Sequence, residues 1–157
     1  MKNLFLLVFW TFSLFTGCAA GDKDADLPGA GDNHTNSTIA TGSKMKIIIG
    51  SRTFTATLYD NATANAFKAL LPLTVNMREL NGNEKYVDLS VKLPTNASNP
   101  GTIQNGDLML YGAKTLVLFY KTFSTSYSYT KLGRIHDTTG LAAAVGAGNV
   151  TITFELD

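Results

Sequence analysis

Met45-Lys46-Ile47-Ile48-Ile49-Gly50-Ser51-Arg52-Thr53-Phe54-Thr55-Ala56-Thr57-Leu58 opens the periodic part of this chain. Three isoleucines lead into Gly50-Ser51, and beyond that pair Phe54, Ala56 and Leu58 alternate with Thr53, Thr55 and Thr57. Successive side chains of an extended strand point to opposite faces, so the alternation sorts apolar residues to one side and threonines to the other. Two β-rich runs about a Gly-Ser pair predict a hairpin with one buried face.

The pattern continues toward the C-terminus. Asp60 or Asn61 can cap a helix over Ala62–Leu71, where Phe67, Leu70 and Leu71 fall at helical spacing and Pro72 ends it. Leu73, Val75 and Met77 alternate with Thr74, Asn76 and Arg78 as another half-buried strand, and Asn81-Gly82 signals a turn. Tyr86, Val87, Leu89 and Val91 predict a further strand, followed by a polar loop over Pro94–Gly106. Leu108–Tyr111 and Leu116–Tyr120 are two almost continuous apolar strands about Gly112-Ala113-Lys114. Thr122–Thr130 reads as a loop or irregular edge, and Leu132–Ile135 as a short strand. Asp137 or Thr138 can cap a small helix over Leu141–Val145, and alternation at Val150, Ile152, Phe154 and Leu156 gives a last strand. About eight short strands and two helices suggest a barrel or a sandwich. A closed barrel also accounts for how so many strands avoid exposed edges.

Toward the N-terminus the chemistry changes. Lys2 precedes an apolar run from Leu4 to Phe15, the charged and hydrophobic parts of an export signal. The run is shorter than the roughly 20 apolar residues that a membrane-spanning helix needs. It ends in Leu14-Phe15-Thr16-Gly17-Cys18-Ala19-Ala20, which resembles the lipobox of bacterial lipoproteins and marks Cys18 as the residue to be lipidated. Phe15 stands where that pattern prefers leucine. Two or more acyl chains give a stable anchor where one does not. Ala19 and Ala20 are not the acidic residues that retain some lipoproteins at the inner membrane, which points to the outer membrane. Ala19–Ser43 is mostly Gly, Ala, Asp, Asn, Ser and Thr, too poor in apolar surface to offset its ordering entropy, and reads as a tether. The expected organisation is a signal peptide over 1–17, the lipidated cysteine and tether over 18–43, and a β domain over 44–157.

Composition excludes several functions. The formal charge of the 157 residues is +1. Residues 19–43 set one lysine against four aspartates, and residues 44–157 set eleven Lys and Arg against eight Asp and Glu. Neither balance supplies the concentrated basic surface that nucleic acid requires. The single cysteine rules out an intrachain disulfide or a thiolate cluster, and His34 and His136 lie in different segments. No metal or cofactor is expected.

One resemblance spans nearly all of residues 45–157. Ala56-Thr57-Leu58-Tyr59-Asp60, followed by Thr63-Ala64-Asn65-Ala66-Phe67-Lys68-Ala69-Leu70-Leu71-Pro72, resembles the second strand and first helix of cyclophilins. With Asn81-Gly82-Asn83-Glu84-Lys85, Gly106-Asp107-Leu108, Leu118-Phe119-Tyr120 and Leu132-Gly133-Arg134-Ile135 in that order, the chain is similar to the bacterial cyclophilin-like family of secreted or lipidated domains. The resemblance implies a mainly β fold, a closed eight-stranded cyclophilin-like barrel with two short capping helices. It does not carry over a catalytic residue. True cyclophilins act through an arginine beside an apolar proline pocket on the outer barrel face, within a Phe-His-Arg signature. Here Leu73-Thr74-Val75-Asn76-Met77-Arg78 stands in that place.

The candidate ligand-binding residues are Asn76, Arg78, Tyr127, Tyr129 and Arg134. Asn76 and Arg78 face outward if Leu73, Val75 and Met77 face the core. Tyr127 and Tyr129 lie in a polar Ser/Thr segment, and tyrosine suits contact with peptides or glycans. Tyr111 and Tyr120 are expected to cap the barrel core, and His136 to be structural. The expected function is a cell-envelope lipoprotein that binds a peptide or small ligand in an outer groove near Arg78, Pro94–Gly106 and the Tyr127 loop. Its partner would be the membrane, through Cys18. The alternative is a divergent peptidyl-prolyl isomerase acting on exported proteins.

Overall fold

The expected hairpin forms from β1 (Lys44–Ile49) and β2 (Arg52–Leu58), with Ile49 opposite Arg52 across Gly50-Ser51. Gly50 has φ of 58°, the left-handed conformation a two-residue hairpin turn needs at its first position. The computed structural model describes residues 41–157. The expected signal, Cys18 and the tether as far as residue 40 lie outside the described residues. The Ser43 carbonyl accepts from the Leu58 amide at 2.9 Å.

Seven further strands and α1 precede a final helix and strand. They are α1 (Ala62–Lys68), β3 (Leu73–Leu80), β4 (Glu84–Asp88), β5 (Thr102–Ile103), β6 (Asp107–Tyr111), β7 (Thr115–Phe119), β8 (Phe123–Ser124) and β9 (Thr130–Ile135). Then come α2 (Leu141–Val145) and β10 (Val150–Leu156). Eight strands close into an antiparallel barrel in the order β1-β10-β3-β4-β7-β6-β9-β2, while β5 and β8 pair by themselves as a two-stranded ribbon. The mainly β closed barrel with two short helices is the expected fold.

The helices lie at opposite ends. Asn61 rather than Asp60 caps α1, its side chain accepting from the Ala64 amide at 2.8 Å. The helix is shorter than expected, since Ala69 and Leu70 form a turn after it and Leu71 lies beyond that turn. Phe67 drives into the barrel mouth and meets Phe154 of β10 edge-on, at a centroid distance of 5.7 Å. At the other end α2 buries Leu141 and Val145. Its N-cap is Gly140, which has no side chain to cap it, rather than the expected Asp137 or Thr138; the Asp137 carboxylate accepts from the Thr139 amide instead.

Two hydrophobic cores share one wall. Leu108, Leu110, Leu116 and Leu118 point into the barrel, toward Met45, Ile47, Phe54, Phe67 and Phe154. Met109, Val117 and Phe119, the alternate residues of the same strands, point outward and pack beneath Ile103 and Tyr129, with Phe123 and Tyr86 against them. A sheet covered on both faces reads as continuous apolar sequence rather than alternation. That is why β6 and β7 carry no polar face. The cover is a flap formed by β5, β8 and the loop to β9, which corrects the expectation of a plain polar loop over Pro94–Gly106 and an irregular edge over Thr122–Thr130.

Candidate functional site

The groove sits beside this flap, on the outer face of β4 and β7. β4 ends at Asp88, so Leu89 and Val91 are not part of it. Along it Lys85 and Val87 turn inward, and Glu84, Tyr86 and Asp88 form an outward row. Opposite that row, in register, stand Phe119, Val117 and Thr115 of β7. The far wall is Tyr111 of β6 with Phe123 and the Thr125–Tyr129 loop, and the near rim is Leu80, Asn81 and Asn83. The enclosed volume is about 600 Å³, within the range typical of small-ligand sites.

Four tyrosines give the groove its chemistry. Tyr111 stands perpendicular to Tyr127, at 88° and 6.2 Å, and tilted against Tyr129 at 5.6 Å. Tyr127 is the most exposed, at 62%, and Tyr111 follows at 47%. Tyr129 is buried, held by reciprocal backbone bonds with Ser98 and set edge-on to Phe119 at 5.4 Å. Burial, and then the charge on Glu84, pushes the Tyr129 phenol above its ordinary range. The fourth ring, Tyr86, is covered on one side by the Arg78 guanidinium, 4.7 Å from its centroid.

Two carboxylates flank Tyr86. Asp88 accepts from the Thr115 hydroxyl at 2.7 Å. Glu84 is paired with no cation and no donor among the described residues. Its carboxyl is raised above the ordinary value of 4.5 by burial first and by the charge of Glu79 second. Among the described residues no histidine or cysteine lines the groove, and no group of three His, Cys, Asp or Glu side chains could hold a metal ion. The surface is suited to holding a ligand, with faces for stacking and acceptors at its floor.

The five residues singled out from the sequence do not all meet here. Tyr127 and Tyr129 line the groove, and Arg78 lies at its edge through Tyr86. Asn76 is farther along β3, its amide donating to the Thr151 hydroxyl at 3.3 Å on the β10 side. Arg134 faces away on β9, its Nε donating to the buried Asp107 carboxylate at 3.0 Å. Burial raises the Asp107 carboxyl, against the lowering effects of the Gln104 amide and Arg134. Pro94–Gly106 contributes no lining residue and supports the flap from behind through β5. Tyr120 is buried as expected, but Tyr111 is an outer-face groove residue rather than a cap of the core. Sequence reasoning also passed over Glu84, Tyr86 and Asp88. His136 bonds the Thr57 hydroxyl through Nε2 at 2.6 Å, at a separate cleft of about 320 Å³.

Comparison with known proteins bears on the fold. Residues 47–155 match the family described as the cyclophilin-like family. The solution structure of a hypothetical protein from Archaeoglobus fulgidus superposes with a TM-score of 0.58 at 18% identity, covering 77% of this chain and 99% of that one. No curated protein matches the sequence.

Proposed function

The chain belongs to the cyclophilin-like family, and from that membership we propose that it is a binding module of the cell envelope, anchored by acyl chains on Cys18 at the outer membrane and taking a peptide or small ligand in the tyrosine-lined groove. The observation that supports the binding role is the groove itself: a concave surface carrying four tyrosines, a phenylalanine and two acidic side chains. Support for the anchor comes from the apolar leader and the lone cysteine behind small residues.

Both parts are testable. Cells expressing the protein and fed labelled palmitate should yield a labelled, membrane-bound chain, and Cys18→Ser should lose the label and move to the soluble fraction. A Cys18→Ser chain that keeps its label would remove the anchor. For the binding role, a thermal-shift screen of mixed-sequence pentapeptides and small polar molecules against the full chain in neutral detergent should find ligands that raise Tm. A Tyr111→Ala/Tyr127→Ala variant should lose those shifts. A screen in which nothing raises Tm would argue for a purely structural protein.

Arg78 favours a second reading, a divergent prolyl isomerase, because it lies on the outer face at the edge of the tyrosine-lined groove. Such an enzyme must lower a rotational barrier of about 18–20 kcal/mol. A protease-coupled proline-peptide assay decides it. A rate at the uncatalysed level, or one unchanged by Arg78→Ala, removes the isomerase.

A further inference from the structure

Resting on the binding role proposed above, we infer that the occupant of the groove is an extended peptide segment carrying a basic side chain, whose cation lies among the tyrosine faces beside Glu84 and Asp88. The argument starts from charge. Glu84 and Asp88 project from one strand into the same groove, two residues either side of Tyr86. Neither forms an ion pair among the described residues; the three ion pairs present are Lys46–Asp157, Lys85–Glu79 and Arg134–Asp107. Arg78 is the nearest candidate by register, opposite Tyr86, and its guanidinium lies over the face of that ring without an ion pair to either carboxylate.

Glu84 is half-buried, so water compensates its charge only in part, and burial accordingly raises its carboxyl. The groove therefore presents two carboxylates, and neither is paired with a cation among the described residues. An ammonium or guanidinium group supplies donors and the opposite charge together.

The aromatic geometry points the same way. Rings at 88° to one another, as Tyr111 and Tyr127 are, form a corner whose negative π-faces can meet a cation from two directions. A neutral apolar ligand would use the rings but leave the carboxylates desolvated and unpaired, which is costly. An acidic ligand would be repelled. The groove volume of about 600 Å³ exceeds what a lone ammonium group fills, and its far wall runs along the Thr125–Tyr129 loop, so the cation fits as one side chain of a longer segment.

The test uses the full chain in neutral detergent with three blocked pentapeptides, Ac-Ala-Ala-Xaa-Ala-Ala-amide, in which Xaa is lysine, norleucine or glutamate. Binding is followed by NMR through the ring resonances of Tyr86, Tyr111 and Tyr127. The lysine peptide is expected to bind about tenfold more tightly than the norleucine peptide, and the glutamate peptide most weakly. Raising the ionic strength to about 0.5 M should shrink the preference. The Glu84→Gln/Asp88→Asn chain should bind lysine and norleucine peptides alike. Lysine binding no tighter than norleucine overturns the cation and leaves the groove as a neutral binding site. Tetramethylammonium chloride binding as tightly as the lysine peptide overturns the extended segment. Ring resonances unmoved by all three peptides overturn both this inference and the binding role.

Discussion

Replacing Lys85 by alanine should destabilise the domain by about 3–5 kcal/mol, the cost of leaving the other half of a buried ion pair uncompensated. Lys85 is fully buried in the barrel wall. Its ammonium bonds the Glu79 carboxylate and donates to the carbonyls of Gly146 at 2.8 Å and Gly148 at 2.6 Å. Glu79 also accepts from the Tyr120 hydroxyl, at 2.8 and 2.9 Å, and from the Gly82 amide at 2.8 Å. One lysine therefore joins the β3–β4 hairpin, the end of β7 and the segment after α2. Alanine would strand two carbonyls, leave the Glu79 carboxylate without its cation, and leave a cavity the length of the lysine stem. Thermal unfolding should show Tm lower by about 10 °C or more. A Lys85→Met/Glu79→Gln double variant should recover part of the loss, since apolar replacement of both partners is better tolerated than removal of one. A drop of only 1–2 °C for Lys85→Ala would show that the cluster contributes little.

The pH dependence of the same cluster has a definite sign. Burial would raise the Glu79 carboxyl, but the Lys85 ammonium, the Tyr120 hydroxyl and the Gly82 amide outweigh it and hold the group below 4.5. A carboxyl lowered in the folded state stabilises above its ordinary value, and that contribution fades as pH falls through the lowered one. The Tyr120 phenol moves the other way, pushed up to about 12 by burial first and then by its bond to Glu79. Its contribution is complete below its ordinary value of 10.0 and is lost as pH climbs toward about 12. Stability should accordingly be flat across neutral pH and fall at both extremes. In wild-type protein an absorbance titration of the tyrosines should show a phenol that ionises only as pH climbs toward about 12.

Lys85 also explains what the sequence concealed. Strand alternation made the barrel legible: the Gly50-Ser51 hairpin, the Asn81-Gly82 turn and the closing strand over Val150–Leu156 all follow from period-two apolar rows. In Glu84-Lys85-Tyr86-Val87-Asp88 a charged residue occupies the inward phase and an aromatic one the outward phase. Such a strand lacks a clean period-two apolar row, which leaves its three groove residues unmarked in the sequence. The ammonium is tolerated inside because backbone carbonyls after α2 reach it, and that partnership joins residues more than 60 positions apart. The flap was hidden for a different reason. Ile103 and Phe123 are isolated apolar residues in polar surroundings, and each ribbon strand is only two residues long, below what periodicity detects. The signal for it lay elsewhere, in the unbroken apolar runs of β6 and β7, which call for a second layer of cover.

Phe119→Ala should act on that second layer, with a cost of about 3–5 kcal/mol for the lost aromatic. Phe119 is fully buried on the outward face of β7, its ring 5.7 Å from Phe123 and 5.4 Å from Tyr129. It is the contact through which β8 and the Tyr129 end of the loop rest on the barrel. A two-stranded ribbon is marginal by itself in water, and the β5–β8 ribbon has only two residues in each strand. Without Phe119 the flap should open before the barrel melts. Hydrogen exchange reads this directly: the Thr125 amide, bonded to the Gly101 carbonyl, and the Tyr129 amide, bonded to the Ser98 carbonyl, should lose protection while the β1 and β10 amides keep theirs. Leu118→Ala, one residue away but inside the barrel, provides the contrast. It should cost about 2–5 kcal/mol and lower protection in the barrel and flap together. Ligand binding separates the two further. The groove wall formed by Tyr127, Tyr129 and Phe123 belongs to the flap, so peptide binding below Tm should vanish in Phe119→Ala and persist in Leu118→Ala. Equal loss of flap and barrel protection in Phe119→Ala would mean that the outer core is one cooperative unit with the inner, and that the groove cannot open independently of the fold.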